Sequence, residues 1–411
     1  SNSFQAQLLA TYISKVLHHK NVMLITDMGD TWGKSIAQYF EEACDDLHLD
    51  IQQRWEFDSQ REDVVEQIDD IINDIKEKES VGTIASQAIF IATQSTQGAD
   101  IVASLRYNEE QPRYTLFGGD TFSTNKFIQQ LKTDPVERIE PGYYSDGIYT
   151  ISSFNPQISG QKAQLFKADF EKKFNVSPSW IAAGYYEAAE VAIKALEQAN
   201  VQGKLQTLKA DRKKVRDALH EVNTIARLNP SDKRVRFVTI NRYKHQKYTP
   251  VWTQLQKLSD VTKDDALVKD LVDERTFQIG NNYFSQTNLV YTGIKINKID
   301  KLDIKAGKFN MDFYLWFRSK RGFNPAEVSF INASKPIRFV TAKKDEGNKN
   351  KTALATSETE QETEKENSER FIEKEGTVYR LQRIDSTDNE NKISGSQNMQ
   401  EAVLVEQHSE E

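Results

Sequence analysis

Apolar residues in the first half of the chain alternate between two spacings. From Phe4 to His18, residues Leu8, Leu9, Tyr12, Ile13 and Val16 recur at helical steps and predict an amphipathic helix. The run Asn21-Val-Met-Leu-Ile-Thr26 is continuously apolar instead, the signature of a strand buried on both faces. It ends in Asp27-Met-Gly-Asp-Thr-Trp-Gly33, after which Ile36, Phe40, Ala43 and Leu47 share one helical face. The unit then repeats. Val64, Ile68, Ile71, Ile72 and Ile75 outline a helix, and Ala88-Ile-Phe-Ile-Ala92 is a second buried strand. Thr93-Gln-Ser-Thr-Gln-Gly98 leads into a helix through Ile101, Val102 and Leu105, and a third strand, Tyr114–Phe117, ends in Gly118-Gly-Asp-Thr121. Strand, loop and helix alternating in this way predict a parallel sheet covered by helices, with right-handed crossovers.

Further along, Gly147–Ile151 predicts another strand, Ser159 a cap for a helix carrying Ala163, Phe166 and Phe170, and Trp180 to Ala199 a long helix. The charged stretch Lys204 to Arg216 leads into one more helix, Arg236–Ile240 returns to strand, and Val251–Leu255 closes the unit. Beyond a charged connector the period becomes two. Phe309, Met311, Phe313, Leu315 and Phe317 face one way, and Asn310, Asp312, Tyr314, Trp316 and Arg318 the other. Ile294 with Ile296 marks a partner strand, and Val328, Phe330, Ile337 and Phe339 suggest more. From Thr341 to about Glu369 almost nothing is apolar, so that stretch cannot offset its ordering entropy and reads as a disordered loop. Thr377–Leu381 rejoins the β pattern.

The predicted fold class is therefore α/β, a parallel-sheet unit followed by a smaller antiparallel, sandwich-like β unit. Its boundaries fall at 1–256 for the α/β unit, 257–276 for the connector, 277–340 with 371–385 for the β unit, 341–370 for the loop and 386–411 for a flexible tail.

Composition narrows the function classes. A net charge of −7 with no basic stripe argues against a nucleic-acid partner. The single cysteine, Cys44, follows Ala43 on an apolar stripe and reads as a packed small side chain. The six histidines, His18, His19, His48, His220, His245 and His408, show no metal-ligand spacing. No phosphate loop, nucleophile elbow or other catalytic constellation is visible, so neither enzyme activity nor a cofactor or metal is expected.

Candidate chemistry concentrates in the loops after the three buried strands, because ligands of open α/β sheets bind at the carboxyl ends of the strands. The first loop brings Asp30, Thr31, Trp32 and Gly33 to a helix N-terminus, where free N–H groups favour an anion. Asp30 or Thr31 equally fits a simple helix cap, and the two roles are compatible. The second loop offers the neutral hydrogen-bonding groups of Gln94 and Ser95, and the third offers Asp120 and Thr121, the carboxylate suited to a ligand ammonium.

The order of these features resembles the type I periplasmic binding proteins, which include the branched-chain amino acid binding proteins and extracellular ligand-binding receptors. The resemblance covers roughly Phe4 to Leu255. It rests on Val22–Gly33, on Phe166 to Phe174 followed by Pro178 and Tyr185-Tyr186-Glu187-Ala188, and on Thr249–Leu255. It departs at the start, since the strand–helix series that opens the family's first lobe is not in this sequence. One wall of the usual cleft is then absent, or the chain is a fragment. By resemblance, Thr31, Trp32 and Asp120 correspond to second-lobe ligand contacts. Tyr291–Asp300 and Phe309–Arg318 resemble the first strands of the extracellular domain of pentameric ligand-gated channels, which implies a β unit and not a channel.

These resemblances imply the extracytoplasmic part, periplasmic or extracellular, of a bacterial receptor or ABC-transport-linked sensor. Its ligand is expected to be a small polar or amino-acid-like solute, and its partner a membrane receptor or transporter. The alternative is an interaction module with a degenerate ligand cleft that forms a homo-oligomer through the β unit.

Overall fold

The computed structural model describes residues 1–85, 87–107, 114–222, 238–258 and 265–320, the isolated residues 323, 328, 330, 331 and 333, and the backbone of 370–374 and 377–381. The sequence-predicted loop at 341–370, the tail at 386–411, and Arg236, Phe237, Ile337 and Phe339 lie outside the described residues. The chain forms two compact units, Ser1–Thr287 and Asn288–Glu411.

The first unit opens with α1 (Asn2–Thr11), prolonged by one π-helical turn at Tyr12–Val16. There follow β1 (Asn21–Asp27), α2 (Thr31–Leu47), β2 (Asp50–Phe57), α3 (Val64–Ser80), β3 (Ala88–Ala92), α4 (Ser95–Arg106) and β4 (Thr115–Gly118). A 3-10 turn at Asp120–Ser123 leads to α5 (Asn125–Leu131), α6 (Pro135–Ile139) and β5 (Tyr149–Ser152). Three helices come next, α7 (Gln161–Phe174), α8 (Trp180–Ala199) and α9 (Leu208–Val222), and then β6 (Thr239–Lys244) and β7 (Lys247–Pro250).

These strands make one seven-stranded sheet in the order β2-β1-β3-β4-β5-β6-β7. The first five run parallel, and β6 and β7 add an antiparallel edge. The continuous apolar runs are explained by burial on both sides. Val22 and Leu24 of β1 and Phe90 of β3 enter a core shared with α1 and α2, whereas Met23, Ile25, Ile89 and Ile91 enter a second core against α3 and α4. The buried β-branched and aromatic residues fit this pleated interior.

The structure adds α5, α6 and β7 to the elements expected from the sequence, and it differs from that expectation at β2, at the start of α7 and beyond residue 256. β2 carries no uniform alternation: Trp55 and Phe57 enter the second core, whereas Ile51, on the far side of an irregularity in the pairing with β1, joins the first. Ser159 does not cap α7, which starts after Gly160; its hydroxyl instead donates to the Asn155 carbonyl. The first unit also runs past 256. β8 (Thr253–Lys257), α10 (Asp265–Val272), β9 (Thr276–Ile279) and β10 (Asn282–Asn288) follow, with the strands paired as β8-β10-β9. Phe277, Ile279 and Phe284 join the core beneath α1, and the Phe4 and Phe284 rings lie 5.6 Å apart. A short alternating run does not reveal which sheet it will join: the pattern groups 277–287 with the β unit, and in the structure it lies in the first unit.

In the second unit, β11 (Val290–Asp303) and β12 (Lys308–Ser319) pair antiparallel, with Gly293 opposite Trp316 and Ile296 opposite Phe313. Phe313, Leu315 and Phe317 are buried on one face as the alternation predicts, while Phe309 on the same face is 54% exposed near the hairpin end. β13 (Arg370–Lys374) and β14 (Thr377–Leu381) form a second hairpin.

Candidate functional site

Because β1, β3 and β4 are neighbours and parallel, the turns after them stand side by side at one end of the sheet. The turn after β1 is built on Asp27, a fully buried carboxylate. Its Oδ1 accepts from the Gly29 and Ser59 N–H groups at 2.9 and 3.1 Å, and its Oδ2 from the Thr93 hydroxyl at 3.0 Å. Asp27 thus ties the first turn to the second, a structural role that satisfies a buried charge.

Asp30 caps α2, its Oδ2 accepting from the Gly33 N–H at 2.8 Å. The same oxygen accepts from Gln94 Nε2 at 3.0 Å, so a cap and a bridge between turns coexist on one carboxylate. Gly33 is buried, and a Cβ there would stand 2.8 Å from the Ala92 carbonyl oxygen and 2.9 Å from that of Asp27. The backbone approach that glycine permits is therefore toward the sheet's own strand ends. Thr31 is exposed, Gln94 is exposed, and Trp32 is half-buried with its ring against Gly119.

The other two turns interlock through hydroxyls. Ser95 is buried and donates to the Thr121 carbonyl at 2.7 Å, and the Thr121 hydroxyl donates to the Thr93 carbonyl at 2.9 Å. Thr150 of β5 donates to the Gly119 carbonyl at 2.7 Å. These groups hold the crest together, which argues against Ser95 and Thr121 as direct ligand contacts.

Asp120 is half-buried. Gln5 of α1 donates from Nε2 to its Oδ2 at 2.6 Å, and the Trp180 indole donates to its carbonyl at 3.0 Å. Burial pushes the carboxyl above the usual aspartate range, opposed by the Gln5 hydrogen bond and the backbone N–H groups of Asp120 and Thr121. Trp180 opens α8, whose cap Ser179 accepts from the Ala182 N–H. Gln5 and Trp180 are residues the sequence did not single out as site members. Gln5 and Trp180 lie far from the crest turns in sequence, and no local pattern marks them.

The structure thus brings all eight sequence-predicted residues to one crest. Thr31, Trp32, Gln94 and one side of Asp30 and Asp120 are the surface chemistry it offers: two carboxylates, an amide, a hydroxyl and an indole. Such a set suits a small polar solute that carries a cationic group and an apolar part.

The family model described as periplasmic binding protein matches residues 1–254. Among solved structures, a branched-chain amino acid transporter substrate binding protein from Streptococcus pneumoniae, in complex with isoleucine, is similar at 21% identity and a TM-score of 0.47, over 60% of this chain and 64% of that one. A leucine binding protein from Thermotoga maritima is similar at 18% identity and a TM-score of 0.47, over 61% and 65%. An ABC transporter substrate-binding protein from Desulfitobacterium hafniense, in complex with Leu, is similar at 18% identity and a TM-score of 0.44, over 61% and 65%. The chain thus spans a little under two thirds of the length of these structures. No curated protein matches it.

Proposed function

This chain belongs to the periplasmic binding protein family, and from that premise we propose that it is the non-catalytic, extracytoplasmic solute-binding portion of a bacterial receptor or transport-linked sensor. The observation that carries the reading is the convergence of three successive strand-end turns, joined by Gln94 to Asp30, Ser95 to Thr121 and Trp32 against Gly119. In this reading Asp120 receives a ligand ammonium, Trp32 covers the apolar part, and Asp30, Thr31 and Gln94 supply polar contacts. An amino-acid-like solute has that combination of groups. Among the described residues no helix is long and apolar enough to cross a membrane.

The test is thermal unfolding of the full chain against a panel of amino acids, amides and small acids. A true ligand at a hundred times its dissociation constant contributes about 2.7 kcal/mol, a readily measured rise in melting temperature. A flat response across the whole panel overturns the proposal.

One feature favours the second reading, an interaction module. On α8 the outward residues Ile181, Tyr185, Ile193 and Leu196 are 41%, 77%, 57% and 46% exposed, while Glu190 on the other side is occupied by Lys162 and Lys194. A helix that turns its apolar stripe outward is suited to a protein partner. Light scattering at rising concentration separates the readings: a discrete oligomer insensitive to solutes favours the module, and a solute-responsive monomer the receptor.

A further inference from the structure

Gln5 and Asp120 are separated by 115 positions, yet the Gln5 amide meets Asp120 twice. Nε2 donates to Asp120 Oδ2 at 2.6 Å, and Oε1 accepts from the Asp120 N–H at 3.4 Å. The pairing fixes the orientation of the amide, because the flipped amide would set an acceptor against the carboxylate and a donor against the N–H. With the Trp180 indole on the Asp120 carbonyl at 3.0 Å, the residue is held by side chains from α1 and α8 as well as by its own turn.

We propose that Gln5 is a positioning residue of the ligand site, which fixes the direction of the Asp120 carboxylate toward a cationic group of the ligand. The proposal rests on the reading of this crest as a solute site. The groups that hydrogen-bond the carboxylate are the neutral Gln5 amide and the N–H groups of Asp120 and Thr121, all of which favour the charged form against burial. Of these, Gln5 is the side chain aimed at it. Removing that donor favours the protonated acid, so binding of an ammonium ligand is lost at a higher pH.

The experiment compares the unaltered chain with Gln5→Leu, which keeps the bulk, and Gln5→Glu, which brings a second carboxylate. Asp120 is titrated by carboxyl-carbon NMR without ligand, and L-leucine is the calorimetric probe from pH 5 to pH 8, with melting curves confirming that each variant is folded. The Asp120 titration is expected to rise by about one pH unit in Gln5→Leu, and further in Gln5→Glu. The acid limb of leucine binding should rise with it, a change that a merely structural residue would not produce. An unmoved Asp120 titration in folded Gln5→Leu overturns the proposal, as does a moved titration with an unchanged pH profile of binding. If the titration moves and the wild type binds no leucine or other amino acid, Gln5 does control Asp120 and the solute-site reading is what has failed.

Discussion

The indole of Trp32 occupies the space beside Gly119, with its Cη2 and Cζ2 atoms 2.6 and 2.7 Å from where a Cβ at position 119 would stand. Real Cβ atoms do not approach a ring so closely, so the first and third crest turns meet only because residue 119 has no side chain. Gly119→Ala is expected to displace the ring and lower stability by about 1–3 kcal/mol, the usual cost of forcing a methyl group into a packed site. In a Trp32→Ala background the same change should cost much less, since only the Ile36 Cδ1, 3.2 Å from the same point, then has to give way. Urea denaturation of the four proteins measures the coupling, and additive effects would show that the two residues are independent.

The Asp30 carboxylate has two tasks that can be separated. Asp30→Ala removes the cap on the Gly33 N–H and the bridge from Gln94, and should cost about 1 kcal/mol or slightly more. Asp30→Ser keeps an N-cap oxygen but is too short for the Gln94 bridge, and should recover most of that loss. Thr31→Ala, at an exposed position, should change stability little. If Thr31 contacts the solute, its removal weakens binding without moving the ligand-free melting temperature.

The strand-to-crest layout could be read from the sequence because each of its signals is local. A strand buried on both faces is apolar throughout, and Ala88–Ala92 has the same limits in the structure as in the pattern. Once the strands are known to be parallel and adjacent, the place of Asp30, Gln94 and Asp120 follows. The antiparallel edge formed by β6 and β7 could not be anticipated, since alternation carries no strand direction. Nor could the duties of Ser95 and Thr121. A hydroxyl after a strand looks the same in sequence whether it faces a solute or a neighbouring carbonyl, and here both face carbonyls. Gln5 and Trp180 reach the crest only through the folding of α1 and α8 around it, a long-range relation that no window of sequence contains.

The electrostatics of Asp120 predict a trade between stability and binding. Its folded-state pKa is raised, chiefly by burial, so between the unfolded value and the folded one the native state binds more protons than the unfolded state. Its contribution to stability therefore falls as pH rises through that window. Asp120→Asn, which can still accept from Gln5, should raise the ligand-free melting temperature at pH 7. The gain should disappear below about pH 4, near the ordinary aspartate value, where the wild-type carboxyl is protonated in both states. The same variant should lose affinity for any ammonium-bearing solute. A ligand-free melting temperature at pH 7 that falls, or a gain that persists into acid, contradicts this assignment.

A second buried polar cluster lies where the seven-stranded sheet passes its chain to α7 and to β8. Asn155 donates from Nδ2 to Asn241 Oδ1 at 2.6 Å, and Asn241 Nδ2 donates to the Thr239 carbonyl at 3.1 Å. The Thr239 hydroxyl donates to the Ser152 carbonyl at 3.1 Å. Gln254 of β8 clasps Ile240 of β6 with both ends of its amide, accepting from the Ile240 N–H at 3.0 Å and donating to the Ile240 carbonyl at 2.8 Å. All these side chains are buried, so removing one partner strands another away from water. Asn241→Leu should cost about 2 kcal/mol, mostly from the Asn155 amide left without its acceptor. Adding Asn155→Leu should cost less than the sum of the two single changes, because it removes the stranded group. Gln254→Leu should be about as costly as Asn241→Leu, since it takes the acceptor from the buried Ile240 N–H, while the Ile240 carbonyl keeps the Val251 N–H at 3.1 Å. Urea unfolding of the single and double variants gives the coupling directly, and strictly additive costs would mean that the cluster does not act as a unit.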